Sequence, residues 1–98
     1  MAKLTTVYWR DIPAQVIAKE RRDTAKIVLT ERFAEAIDKA AMRAQMAGTD
    51  AYLEQWRREV IDCGADLQAA VDDAAAHLEQ TYDDERLAAL VKNGGLNP

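Results

Sequence analysis

The run Leu4-Thr5-Thr6-Val7-Tyr8-Trp9-Arg10 alternates along its length and ends against Asp11-Ile12-Pro13-Ala14. In a strand, Leu4, Thr6 and Tyr8 would point one way and Thr5, Val7 and Trp9 the other. Thr, Val, Tyr and Trp all favour a pleated conformation. The segment after Arg10 has turn chemistry, because Pro fixes φ and Asp can bond the backbone just beyond it. Gln15 to Lys19 then reads as a second short strand, so residues 3–20 are predicted to form a β-hairpin. An isolated hairpin is marginal in water. Helices or a second chain must therefore cover it, and this requirement makes the chain α+β.

The rest of the sequence supplies helices. Arg21-Arg22-Asp23-Thr24 is polar, and Asp23 or Thr24 can cap a helix. Leu29, Phe33, Ile37, Ala40 or Ala41, and Ala44 recur at helical spacing, and Gly48 marks a stop. One helix over 24–47 is the favoured reading. The β-branched Ile27-Val28 leaves an alternative, a third strand with Thr30 capping a shorter helix. A second helix is predicted over 49–61, with Tyr52 or Leu53, Trp56 and Val60 on one face and Arg57 and Arg58 complementing its dipole. Asp66 caps a third over 66–82, where Leu67, Val71, Ala74, Leu78 and Tyr82 form a stripe. The phase slips after Tyr82, and Thr81-x-x-Asp84 resembles a capping box, so a fourth helix is read over 83–92. Asn93-Gly94-Gly95 ends it in a left-handed conformation, and residues 93–98 are expected to be a loose tail. The expected architecture is one compact domain, an N-terminal β-hairpin followed by three to four α-helices.

A chain of 98 residues suits one domain. Its composition, 49% hydrophobic and 31% charged, is that of a globular protein rather than a disordered one. The sequence holds no run of about 18 apolar residues, so no membrane span is expected. Met1-Ala2-Lys3-Leu4 lacks a signal peptide's apolar core. With a single cysteine, Cys63, these features give a cytoplasmic expectation. Charge is uneven: residues 1–32 carry seven Lys/Arg against four acids, and residues 66–98 carry two against seven. Such a layout suits a charged partner, or equally attraction between the two ends of one fold.

The residues that could carry chemistry are scattered. Cys63 and His77 are single and belong to no motif, so a metal site or a nucleophile–base pair is not expected of them. Asp72-Asp73 and Asp83-Asp84-Glu85 lack the spacing of a calcium loop and fit a solvated helix face and a helix start better. No catalytic residue, metal ligand or cofactor is assigned. Lys19, Arg21, Arg22 and Lys26 form a small basic cluster, and Lys19, Arg21 and Arg22 are candidates for binding an anion. The cluster contains no aromatic and the net charge is −4, which disfavours nucleic acid.

Tyr, Trp and Arg are the side chains most enriched at binding hot spots. Tyr8, Trp9, Arg10 and Asp11 are therefore the candidate partner-binding residues. Tyr8 and Trp9 are strand neighbours and cannot both face a single-sided core, although burial on both sides within one domain would satisfy them equally well.

Four strings, LTTVYWRDIPAQVIAK, ERFAEAIDKAAMRA, GTDAYLEQWRR and YDDERLAALVKNGG, resemble a family of short bacterial virulence factor domain proteins. The similarity spans nearly the whole chain. The family name describes a phenotype and implies no reaction, so no catalytic residues carry over. The resemblance implies an accessory role, loosely connected to one-carbon metabolism because members are encoded near folate- and corrinoid-dependent methyl-transfer genes. The leading expectation is a non-catalytic accessory or protein-interaction protein whose partner is another protein or a second copy. A small subunit of a methyl-transfer enzyme is the alternative, and a nucleic-acid-binding regulator comes last.

Overall fold

The computed structural model describes residues 2–98. Strand β1 spans Lys3–Trp9 and β2 spans Ile12–Glu20. They form the expected hairpin, with Trp9 opposite Ile12 and Lys3 opposite Lys19, and an irregularity between Val7 and Tyr8. Arg10 takes a left-handed φ of 54° at its tip.

The hairpin does not end the sheet. Strand β3, Asp23–Val28, follows a tight turn in which Arg21 has φ 55° and pairs antiparallel with β2. The helix expected over 24–47 is therefore shorter. Helix α1 spans Glu31–Arg43, with Thr30 as its N-cap residue. The reason lies in pairing. Thr24 to Val28 completes its backbone hydrogen bonds on β2 and half-buries only Ala25 and Ile27. Leu29 then donates its N–H to the Ala14 carbonyl at 3.0 Å, which closes the route to a continuous helix.

The expected 49–61 helix is likewise replaced. Helix α2 is the short segment Asp50–Glu54, and Trp56–Asp62 is strand β4. It pairs antiparallel with β1, Trp56 opposite Trp9 and Asp62 opposite Lys3. The sheet order is β3-β2-β1-β4, so the first strand in sequence is central and β4 is an edge. Arg57 and Arg58 thus decorate a strand and not a helix end.

Two helices complete the domain. Helix α3 spans Leu67–Thr81, and the Asp66 carboxylate accepts the Ala69 N–H at 3.1 Å. Helix α4 spans Asp84–Lys92, and the cap is Asp83, which accepts the Arg86 N–H at 2.8 Å, rather than Thr81. Helix α3 packs on β2 and β3, while α1 packs on β2 and α4. The core joins Leu4, Val16 and Ala18 from the sheet to Phe33, Ile37 and Ala40 of α1, Val71 and Leu78 of α3, and Leu87 and Leu90 of α4. At one corner Arg32 donates to the carbonyls of Glu79 and Tyr82 and to the Glu79 carboxylate.

The tail is tied down rather than loose. Gly94 and Gly95 have φ of 69° and 93°. The Asp11 N–H donates to the Gly95 carbonyl at 2.8 Å, and the Asn97 N–H donates to the Asp11 carboxylate at 2.8 Å. Backbone groups at both ends are satisfied by each other, which is cheaper than leaving them half-shielded.

Candidate functional site

Trp9 is 0% exposed. Its indole N–H donates to the Tyr52 carbonyl at 2.9 Å, and its ring stacks on Tyr52 at 5.6 Å between centroids. Gly95 also lies against the ring, so close that a Cβ there would stand 2.7 Å from Trp9 Cζ3. Trp9 is therefore a core residue closed in by Tyr52 and Gly95, out of a partner's reach. The expectation of an exposed hot spot at this position is corrected.

Arg10 is also a fastener. Its guanidinium donates to the Gly94 carbonyl at 3.0 Å, to Gln55 Oε1 at 3.2 Å and to the Met46 sulfur at 3.2 Å. Asp11 divides its carboxylate between the Asn97 N–H and the Arg57 guanidinium, the latter at 3.2 Å. Arg57 lies over the Tyr8 ring at 4.4 Å, donates to the Arg10 carbonyl at 2.8 Å and pairs with Glu59. Burial pushes the Tyr8 hydroxyl pKa up, with the charge on Tyr82 and Glu59 adding to it and Arg57 opposing. Burial pulls Arg57 down, but its hydrogen bonds to Glu59 and Asp11 and their charge outweigh that and raise it. Tyr8 and Asp11, both partly exposed, thus hold Arg57 in place on β4.

β4 is the unusual element. All seven of its residues are exposed, including Val60 at 57% and Ile61 at 61%. Strand alternation places Arg57, Glu59 and Ile61 on the helix-bearing face of the sheet and Trp56, Arg58, Val60 and Asp62 on the other. On the helix side, Leu4, Tyr8, Ile61, Ala74 and Leu78 line an open groove of about 490 Å³ between β4 and α3. On the opposite side, Val7, Gln15, Trp56 and Arg58 border a hollow of about 570 Å³. Among the described residues no further strand pairs with the outer edge of β4.

The scattered chemical residues gain little from folding. Cys63 and His77 border the same groove, a juxtaposition that no motif announces. His77 Nε2 is 3.4 Å from Thr81 Oγ1, one turn along its own helix. Among the described residues no group of three His, Cys, Asp or Glu side chains could hold a metal ion. Lys19, Arg21 and Arg22 are exposed at the β2–β3 turn, at the other end of β2 from the Arg10–Asp11 tip. No described helix is long and apolar enough to cross a membrane.

Residues 7–91 match the family described as Virulence factor. The chain belongs to that family. No curated protein and no solved structure matches it. The match takes in β4, helices α1 to α3 and α4 as far as Val91, and its start at Val7 includes the Tyr8–Asp11 tip.

Helical spacing conceals β4 as a surface, because Tyr52, Trp56 and Val60 fall on one face of a helix as well. A signal was present in Trp-Arg-Arg-Glu-Val-Ile-Asp, where β-branched Val60-Ile61 sits among charges segregated by sign.

Proposed function

We propose that this chain is a non-catalytic accessory protein that works by binding another polypeptide along β4. One observation carries the reading: a full-length strand of the sheet is exposed on both faces and along its outer edge. Edge strands of stable monomers are usually blunted by charged side chains, above all Lys, by Pro, by bulges or by a covering helix, because their free N–H and C=O groups recruit other strands. The charges of β4 are of both signs, Arg57 and Arg58 against Glu59 and Asp62, and so can be matched by a partner strand. β4 contains neither Lys nor Pro, and its register on β1 runs without a bulge. Strand addition to such an edge draws affinity from main-chain hydrogen bonds and specificity from alternate side chains. Here Trp56, Val60 and Ile61 would supply the apolar contacts and Arg57 and Arg58 the charged ones. Tyr8 and Asp11 hold Arg57 in place, while Arg10 and Trp9 fix the hairpin tip from which β1 presents its neighbour.

Complementation of a deletion strain separates this reading from an enzyme at the groove. Val60→Lys, a change at an exposed position, should fail to complement while the variant still folds and unfolds in one cooperative transition. The double variant Cys63→Ser with His77→Gln should complement. The reverse pattern would replace the interaction reading with a catalytic one.

A further inference from the structure

The charge order of β4 indicates what binds it. The basic residues Arg57 and Arg58 precede the acidic Glu59 and Asp62. Such a strand opposes like charges when paired parallel with a copy of itself, and brings its basic half against its acidic half when paired antiparallel. The backbone restricts the choice further. The Arg10 N–H donates to the Gln55 carbonyl and the Cys63 N–H to the Ala2 carbonyl, so odd-numbered residues of β4 direct their hydrogen-bonding groups at β1. Arg58, Val60 and Asp62 direct theirs outward.

Building on the interaction reading above, we propose that β4 pairs antiparallel with β4 of a second copy of this chain, centred on Val60. In this register Val60 faces the partner's Val60, and Arg58 faces the partner's Asp62 on both sides of the two-fold axis. All three are outward-bonding positions. Moving the centre one residue to Glu59 sets the two Glu59 carboxylates against each other, and moving it to Arg58 opposes the two Arg58 side chains. Like charges directly opposite destabilise a pair, whereas opposite charges and β-branched pairs favour it. Asp62 is already held by Lys3, and that contact holds its carboxyl below the usual carboxylate range, so it meets Arg58 ionised. The far edge, β3, has no such option: Asp23 and Lys26 differ in parity and lie on opposite faces, and Lys26 is itself an edge-blunting residue. The product is one continuous sheet of two copies with an isologous interface.

Sedimentation equilibrium of the intact chain tests the pairing. The wild-type chain should be a dimer, and Val60→Lys should weaken it by about tenfold or more. Arg58→Asp alone and Asp62→Arg alone should each weaken it, and the two changes combined should restore it, because the swapped charges meet again across the axis. A monomeric wild type would overturn the self-pairing, and so would a dimer indifferent to Val60→Lys or one that the double swap fails to restore. The broader interaction reading is judged separately by complementation. A monomer in which Val60→Lys still abolishes complementation retains β4 as a docking strand for a different polypeptide.

Discussion

Trp9 is the side chain on which distant parts of the sequence converge. It was conspicuous as an aromatic beside an arginine, and its position proved important, but its role is burial against Tyr52 and Gly95. Nothing local to residues 7–13 reveals this, since the groups that close it come from α2 and from beyond α4. Gly95 has two reasons to be glycine: φ of 93°, which L side chains rarely adopt, and contact with the indole. Gly95→Ala should therefore lower stability by about 1–3 kcal/mol. Chemical denaturation gives the measurement. A shift of the midpoint with an unchanged slope would match the expected mechanism, and an unshifted midpoint would show that the indole accommodates a methyl group. The basic cluster illustrates the opposite outcome. Lys19, Arg21 and Arg22 stand together in the sequence as anion-binding candidates, and they lie exposed at the end of β2 and in the β2–β3 turn.

Among elements, the β1–β2 hairpin and the helices α3 and α4 are legible from local signals, β3 only as an alternative to a longer helix, and β4 not at all. Asp66 and Asp83 each accept an N–H three residues on; the first is the cap expected, and the second stands two residues beyond the Thr81 that the capping-box pattern indicates. β3 and β4 depend on partners elsewhere. The Leu29–Phe33–Ile37 spacing suggested a helix reaching back to residue 24, although only Phe33 and Ile37 lie in α1. Trp56 and Val60 are four apart, and that spacing shares a face on a helix and on a strand alike. Amide exchange of a monomeric Val60→Lys variant should show the alternation directly. Amides of Arg57, Glu59 and Ile61, bonded to β1, should be protected, while those of Arg58 and Asp62 exchange quickly. In the wild-type dimer the Arg58 and Asp62 amides should become protected as well. Uniform protection along the variant's strand would contradict the assigned parity.

For the molecule as a whole, the uneven charge of the sequence is partly answered within the fold. Arg32, from the basic first third, meets Glu79 and Asp84 of the acidic last third. Glu79 also accepts the Thr30 N–H and hydroxyl, both at 2.9 Å, and so joins α3 to the start of α1. Burial pushes its pKa up, but the bonds from Thr30 and the bonds and charge of Arg32 outweigh that and lower it. A carboxyl whose folded pKa is depressed stabilises the fold above its unfolded value and loses that contribution as pH falls through the folded value. The site is partly wet, so the contribution is about 1 kcal/mol. Stability of the wild type should fall on acidification below the ordinary glutamate range, and the Glu79→Gln variant should lose less over the same window; parallel acid profiles would remove Glu79 from the account. The tail contact carries a consequence for how the domain is made. β1 is central, yet one neighbour, β4, and the lid over its indole are synthesised much later. The hairpin must wait, half-dressed, while the ribosome delivers its cover, so a nascent chain halted before residue 94 would hold its indole against Tyr52 with the Gly95 side still open to whatever chaperone passes.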